Sequence, residues 1–225
     1  MSSQTVYYSE AAVKAGEYFG AELRLRCNKE CVLQDVRAFP LVCLGASAGG
    51  LDAYVRLFGN LPANIALAVV AVNHSTRYPQ MLPEIQSCYT NMPIHIITDG
   101  MKVSSGNVYV IPSNCDLRLA ASKFVVSPLS KHFGWPRVIT NFLQSLAREW
   151  RRQAIAVILS GLGVDGTQGL PSIKAAGGVT FAQSPASARY AFMPKAAIDS
   201  GRVDFVLLPE EIAHELERIA VGRQK

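Results

Sequence analysis

The sequence predicts an α/β protein, in which a doubly wound, mostly parallel sheet is flanked by helices and carries an extra β-hairpin. The first reason is a regular alternation, from residue 38 onward, of short apolar runs with segments of helical periodicity. The second is that valine, isoleucine, leucine and alanine follow one another in these runs, as in strands buried on both faces. The third is length, because 225 residues suffice to bury a sizeable core.

Each apolar run predicts one strand, and most runs are followed by a helical pattern. The predicted strands are, in order, "PLVCLG", "IALAVVAVN", "AIAVILSG", "GGVTFAQ" and "DFVLLP". Helical patterns follow the first, second, third and fifth: "LDAYVRLFGNL", "QMLPEIQSCY", "GTQGLPSIKAA" and "EEIAHELERIA". Three shorter runs, "VYVIP", "LRLA" and "FVVSP", are joined by "SNCD" and "ASK". They predict an inserted or edge β-hairpin on the rim of the sheet.

Composition bounds the domain organisation and excludes several classes of protein. Residues 1–37 do not continue the alternation, so we expect an N-terminal appendage of unknown role before one domain over residues 38–225. No apolar run approaches the roughly 20 residues of a membrane span, and no signal peptide is recognisable, so we expect a cytoplasmic protein without membrane insertion. The net charge of +5 is spread along the chain, which is not the footprint of a nucleic-acid-binding protein.

The cysteines indicate neither disulfides nor a metal site. Five cysteines, an odd number scattered along the chain, do not form a disulfide framework. Cys27 and Cys31 lack a second pair of ligands, and a structural zinc site needs four. We therefore expect reduced thiols and no metal.

Ser47 is the first candidate for chemistry, because it lies in a glycine-rich turn directly after the first predicted strand. The stretch from Gly45 to Gly49 satisfies G-x-S-x-G, in which small neighbours permit a tight strand-to-helix turn that exposes the serine hydroxyl. The motif alone leaves three interpretations open: a nucleophile, an anion-binding turn, or a turn required only for packing.

A serine nucleophile requires a base, and the four histidines differ in position. His74 ends the second apolar run, so its side chain is expected at the same end of a parallel sheet as Ser47, on a neighbouring strand. His95 lies inside the apolar run "PIHII", which is typical of a hydrogen-bonded core imidazole. His132 and His214 lie in a loop and in a charged helix, where solvated side chains are expected.

Asp165 is the candidate for the third group. It follows the strand "AIAVILSG" in a glycine-rich loop, where it either caps the next helix or orients His74 and stabilises its protonated form. Cofactor sites fit less well. The second strand ends in Asn73 and His74 without the carboxylate that a dinucleotide requires, and no Lys-Ser or Lys-Thr follows the glycines as in a P-loop.

Taken together, the motifs resemble the catalytic domain of the CheB-type protein-glutamate methylesterases of bacterial chemotaxis. The resemblance covers approximately residues 40–220. It rests on several long segments in the right order: "GASAGGLDA", "NH", "DGMKVSSGNVYVIPSNCDL", "ILSGLGVDGTQGLPSIKAAGG", "AQSPASARYAFMPKAAIDSG" and "VDFVLLPEEI".

The resemblance implies a hydrolase that removes methyl esters from glutamyl side chains on the cytoplasmic helices of chemoreceptors and often deamidates receptor glutamines. Its catalytic residues match Ser47, His74 and Asp165, and an oxyanion hole is expected from the backbone N–H groups of Ala48 and Leu162. No cofactor or metal is implied.

Two further points follow from the resemblance. Typical stand-alone members carry an N-terminal receiver domain of roughly 120 residues, whereas 37 residues precede the match here, so we expect no control by phosphorylation in cis. Two alternatives stay open: a hydrolase of the same fold acting on another ester or amide, and a catalytically silent adaptor module.

Overall fold

The computed structural model describes residues 39–73, 89–132 and 135–223. Within these ranges the strands are β1 (Leu41–Ala46), β2 (Ala68–Asn73), β3 (Ile94–Ile96), β4 (Val108–Val110), β5 (Cys115–Ala120), β6 (Lys123–Pro128), β7 (Lys131–His132), β8 (Trp135–Pro136), β9 (Ala154–Ile158), β10 (Val179–Gln183) and β11 (Phe205–Leu207). The α-helices are α1 (Gly50–Phe58), α2 (Val138–Trp150), α3 (Leu170–Ala175), α4 (Phe192–Asp199) and α5 (Pro209–Gly222). Three short 3-10 helices cover Arg151–Gln153, Thr167–Gly169 and Pro185–Ser187.

Seven strands form one sheet in the order β11-β10-β9-β1-β2-β4-β3, and every pair in it is parallel. β2, β3 and β4 lie on one side of β1, and β9, β10 and β11 lie on the other. The predicted doubly wound parallel sheet is therefore confirmed. Strand order reverses beside β1, and at such a switch point parallel sheets bind ligands beyond the carboxyl ends of their strands.

Both faces of the sheet are covered, which explains why its strands are apolar without alternation. Leu41 and Cys43 of β1 contribute to the core beneath α2, α3 and α4, whereas Val42 and Leu44 contribute to the core beneath α1 and α5. All four side chains have no exposed surface. Burial on two faces thus holds the central strands in place.

The predicted hairpin is confirmed, with one correction to its extent. β5 and β6 form a separate antiparallel pair that packs on α2, where the N–H of Leu119 donates to Ser145 Oγ at 3.0 Å. The run "VYVIP", however, contributes β4 to the main sheet, between β2 and β3. A three-residue strand is too short for its local pattern to distinguish these two outcomes.

The predicted boundary after residue 37 stays a prediction, since residues 1–38 lie outside the described residues. None of the helices that the structure describes is long and apolar enough to cross a membrane.

Candidate active site

Ser47 is the first residue beyond β1, in the turn that leads into α1. Its backbone N–H donates to the carbonyl of Ser160 at 3.0 Å, and its own carbonyl accepts from the N–H of Gly50 at 3.1 Å. The residue is half-buried, and no hydrogen bond joins its hydroxyl to the residues that the structure describes. The predicted strand-to-helix turn is confirmed, with a fixed backbone and an available hydroxyl.

The left-handed backbone of this turn lies at Gly49, with φ of 72°, and not at the serine itself. A Cβ at Gly49 would lie 2.8 Å from Ser160 Oγ and 2.9 Å from Arg189 Cβ. Glycine is therefore required here for two reasons, since a side chain would be strained and would also collide with two neighbouring loops.

The other glycine of the motif makes room for helix α2. A Cβ at Gly45 would lie 2.8 Å from Ile139 Cγ2, and one at Gly166 would lie 2.9 Å from the same atom. Ile139, in the first turn of α2, thus packs against β1 on one side and against the loop after β9 on the other. This contact brings the N-terminus of α2 to the carboxyl end of the sheet.

Asp165 accepts hydrogen bonds from that helix N-terminus. Its Oδ2 accepts from the N–H of Ile139 at 2.8 Å, and its Oδ1 accepts from the N–H and hydroxyl of Thr140 at 3.0 and 2.7 Å. The N–H of Gly166 also donates to Oδ1, at 2.7 Å. Asp165 does cap a helix, but the capped helix is α2 and not the one that follows Asp165 in the sequence. The positive end of the helix dipole favours a negative charge at this point.

His74 lies outside the described residues, which end at Asn73 on this side. Asn73 is the last residue of β2 and pairs in parallel register with Ala46, the residue before Ser47. The amide of Asn73 also approaches the start of α1, since a Cβ at Gly50 would lie 3.8 Å from Asn73 Nδ2. β1 and β2 therefore end side by side at this edge of the sheet.

Two of the remaining histidines are described. The prediction of a core imidazole for His95 is wrong, because the residue is exposed on β3 at the side of the sheet, with its Nε2 2.8 Å from Asn107 Oδ1. His214 is exposed on α5, as predicted. The side chain of His132 lies outside the described part of the structure.

The backbone N–H groups of Ala48 and Leu162 flank the serine. A Cβ at Gly161 would lie 3.0 Å from Ser47 Cβ, so the loop that carries Leu162 passes directly beside the serine. Neither N–H donates a hydrogen bond within the described residues. Their assignment to an oxyanion hole stays a prediction.

Ser160 joins the serine turn to its two neighbouring loops. Its hydroxyl donates to the carbonyl of Ala48 at 3.0 Å and accepts from the N–H of Tyr190 at 3.0 Å. Its N–H donates to Gln183 Oε1 at 2.8 Å. Ser160 is only 1% exposed and Gln183 is fully buried. These bonds hold three segments, distant along the chain, around Ser47.

The comparisons with known proteins agree with this geometry. The model of the CheB methylesterase family matches residues 42–216. The chain belongs to this family. The solved catalytic domain of the Thermotoga maritima CheB methylesterase superposes with a TM-score of 0.76 at 28% identity, covering 80% of this chain and 98% of that one.

Two curated relatives are named for protein-glutamate methylesterase and protein-glutamine glutaminase activities. The "protein-glutamate methylesterase/protein-glutamine glutaminase 2" of Cupriavidus metallidurans is 35% identical over 82% of this chain and 55% of its own length. The "protein-glutamate methylesterase/protein-glutamine glutaminase of group 3 operon" of Rhizobium meliloti is 31% identical over 82% of this chain and 53% of its own length. The chain thus spans about half the length of these relatives.

Sequence reasoning missed two residues that support the candidate site, Ser160 and Gln183. Ser160 lies just after the buried strand β9, and Gln183 is the last residue of the buried strand β10, at the same end of the sheet as Ser47. A polar residue at the end of an apolar run is the signal that would have found them. The donors to Asp165 in the first turn of α2 were missed as well. No local pattern connects "RVIT" with a carboxylate so far along the chain.

Among the described residues, neither the Cys43 thiol nor a metal site competes with Ser47 as the reactive group. Burial, together with the negative charge of Asp165, raises the pKa of the Cys43 thiol well above its usual value, so the thiol stays protonated and unreactive. No three histidine, cysteine, aspartate or glutamate side chains of the described ranges come together as a metal site would require.

Proposed function

We propose that this chain is a serine hydrolase that removes methyl esters from glutamyl side chains of chemoreceptors, with Ser47, His74 and Asp165 as its catalytic triad. One observation carries the proposal: Ala46 pairs with Asn73, while the N–H of Ser47 bonds to Ser160, at the start of the loop that carries Asp165. The ends of β2, β1 and β9 therefore meet at the point where the three residues are required.

The substrate class is inferred from the family and from the names of the relatives. Those names give two activities, hydrolysis of protein-glutamate methyl esters and of protein-glutamine amides. Both release a glutamyl carboxylate from an uncharged acyl group, and they differ only in whether methanol or ammonia leaves. One nucleophilic serine serves both, and we propose deamidation of receptor glutamines as a second activity of the same site.

In the proposed acylation step, His74 takes the proton of Ser47 as the oxygen attacks the ester carbonyl. The N–H groups of Ala48 and Leu162 donate to the oxyanion that forms. His74 then protonates the departing methoxide, methanol leaves, and the glutamyl group remains esterified to Ser47. Asp165 acts by holding the imidazole in the correct tautomer and stabilising its positive charge.

In the deacylation step, a water molecule gives its proton to His74 and attacks the acyl carbon. The bond to Ser47 Oγ breaks, the serine regains the proton, and the glutamate carboxylate is released. The site needs no further reactant. The fixed backbone of the turn around Ser47 keeps the oxygen in place through both steps.

The test is methanol release from methylated receptor membranes by the full chain and by Ser47→Ala. We expect the variant to lose methanol release while its thermal unfolding stays within a few degrees of wild type. His74→Gln is expected to lose the activity as well. Persistent release by Ser47→Ala would remove the serine from the mechanism, and persistent release by His74→Gln with an unchanged pH profile would require another base.

The two alternatives give different results. A silent adaptor module would leave Ser47 unlabelled by a fluorophosphonate, which reacts only with an activated serine. A hydrolase for another ester would be labelled at Ser47 and would hydrolyse small esters, but would release no methanol from methylated receptors.

A further inference from the structure

Four exposed apolar side chains belong to the two segments that pass beside the Ser47 turn. They are Leu162, Val164, Tyr190 and Phe192, with exposed fractions of 57, 55, 38 and 60%. We call these four residues the apolar rim. Single exposed apolar residues are ordinary on a protein surface, but a group of them in one place marks a binding surface.

Backbone hydrogen bonds join the two loops that carry the apolar rim. The N–H of Gly161 donates to the carbonyl of Tyr190 at 3.0 Å, and the N–H of Met193 donates to the carbonyl of Gly161 at 3.0 Å. Leu162 follows Gly161 and Phe192 precedes Met193, so both side chains leave the backbone next to this hydrogen-bonded pair. The two segments that carry the rim are therefore held together before a partner binds, which limits the ordering entropy lost on binding.

The apolar rim is continuous with the candidate active site. A Cβ at Gly161 would touch both Met193 Sδ, at 2.8 Å, and Ser47 Cβ, at 3.0 Å. A polypeptide that delivers a side chain to Ser47 along this side of the site passes over the segments that carry Leu162 and Phe192.

The segments that carry the rim hold more cations than carboxylates. Residues 160–166 and residues 184–195, which include the first half of α4, contain three charged residues: Asp165, Arg189 and Lys195. Asp165 already accepts hydrogen bonds from the first turn of α2. Arg189 and Lys195 are exposed, and the guanidinium of Arg189 lies 6.0 Å from the centre of the Tyr190 ring. A partner that combines apolar side chains with carboxylates complements this surface.

We propose that the apolar rim, with Arg189 beside it, binds the polypeptide segment that flanks the reacting ester, and that this segment carries apolar and acidic side chains. The inference rests on the proposed function and deepens it, because it names what the enzyme recognises beyond the ester. A methyl ester offers few contacts of its own. Binding energy from the flanking segment is what positions it against Ser47.

The first test measures binding without catalysis. A labelled peptide with one glutamyl γ-methyl ester among leucines and glutamates is titrated into the full chain bearing Ser47→Ala, and fluorescence anisotropy gives Kd. Adding Phe192→Gln is expected to weaken binding about tenfold, as for a central apolar contact of an interface. Val221→Gln, at a residue on α5 that is 57% exposed, is the matched control and is expected to change nothing.

The second test is a charge exchange. Arg189→Glu is expected to weaken binding of the acidic peptide about tenfold, and a peptide with lysines in place of the glutamates is expected to bind Arg189→Glu better than wild type. Fluorophosphonate labelling of Ser47 in Phe192→Gln and Arg189→Glu, each with Ser47 intact, reports on the nucleophile separately.

The outcomes separate the two proposals. Unchanged Kd in Phe192→Gln, or failure of the lysine peptide to recover binding, overturns the role of the rim. Slower labelling in step with weaker binding overturns it too, because both residues would then act on the serine turn. Failure of the proposed function appears elsewhere, as absent labelling or absent methanol release in the unaltered chain.

Discussion

The carboxyl and amino ends of the sheet each hold an aspartate that accepts hydrogen bonds from the backbone and from a threonine hydroxyl. At the carboxyl end, Asp165 accepts from Ile139 and Thr140. At the amino end, Asp204 Oδ2 accepts from the N–H and hydroxyl of Thr180, both at 2.9 Å. The local chemistry is nearly the same, so the surroundings decide what each carboxylate does.

At the amino end, a lysine joins the hydrogen-bonded group around Asp204. Lys174 forms an ion pair with Asp204 Oδ1, which ties α3 to the residue before β11. Burial alone would raise the pKa of Asp204, but the hydrogen bonds from Lys174 and Thr180 outweigh it and hold the pKa below its ordinary value. This arrangement contributes to stability.

The carboxyl end surrounds its aspartate with glycine-rich loops and leaves apolar side chains exposed. Asp165 there receives its donors from a helix N-terminus, and the loop that carries it passes beside Ser47. Stability is given up at this end in the exposed apolar side chains of Leu162 and Phe192. The same pattern is tied to a lysine at the amino end, whereas at the carboxyl end it lies in the loop beside Ser47, where we propose its catalytic role.

The largest expected effect separates the two aspartates directly. Asp165→Asn is expected to lower the turnover of methanol release by about four powers of ten, on the precedent of serine proteases. An amide has one accepting oxygen, so the variant also loses part of the cap on α2 and about 1 kcal/mol of stability. Asp204→Asn is the matched control, with lower stability and unchanged turnover. Equal losses in both variants would contradict a special role for Asp165.

A second comparison uses two left-handed glycines. Gly49 has φ of 72° and Gly201, at the amino end, has φ of 67°, but a Cβ at Gly201 would meet nothing within 4 Å. Each alanine substitution costs about 1 kcal/mol of backbone strain. Only Gly49→Ala displaces the loops around Ser47, and a displacement of about 1 Å costs about a hundredfold in rate. Thermal unfolding and the rate of fluorophosphonate labelling measure the two effects, and similar labelling rates would refute the distinction.

A third comparison uses two buried serines. Ser160→Ala removes the hydroxyl that bonds to Ala48 and Tyr190, about 1 kcal/mol for each bond, and is expected to slow labelling of Ser47 about tenfold. Ser145→Ala removes an equally buried hydroxyl between α2 and the hairpin and is expected to lower stability alone. Ser160→Thr, which keeps the hydroxyl, is expected to recover the rate in part. No difference between the two alanine variants would limit Ser160 to a structural role.

The smallest expected effect is the pH dependence of stability at the amino end. Because the pKa of Asp204 is lower in the folded protein than its ordinary value of 3.8, its contribution is complete above that value. The contribution is lost as the pH falls through the folded pKa. We expect Asp204→Asn to lower Tm at pH 7 and the difference from wild type to shrink below about pH 4. Lys174→Met should behave in the same way, and a difference that stays constant down to pH 2 would exclude the ion pair as the cause.

Much of the site could be predicted from local patterns. Ser47 was expected at the end of a buried strand because a continuous apolar run gives way there to small residues, and burial and turn chemistry are both local properties. The end of the second run at Asn73 was predicted for the same reason, and its pairing with Ala46 follows from parallel neighbours. Whether His74 completes the triad stays a prediction.

Predictions that depended on packing were less successful. His95 lies in an apolar run, but that run forms β3, one of the two edge strands, which is not covered on both faces. β4 and the hairpin have similar short apolar patterns, yet one lies in the sheet and the other against α2. Local composition reports how apolar a segment is, but not which neighbour covers it.

By itself, the sequence determined that buried parallel strands alternate with helices and that a serine, a histidine and an aspartate follow three of the strands, because apolar periodicity and turn residues act over a few positions. Only the tertiary structure decided that Asp165 caps α2, that Ser160 ties three segments together, and that the segments carrying Leu162 and Phe192 are hydrogen-bonded to each other. These contacts join residues 23 or more positions apart, the shortest separation being that between Ser160 and Gln183. Their partners are decided by how the helices and loops pack on the sheet.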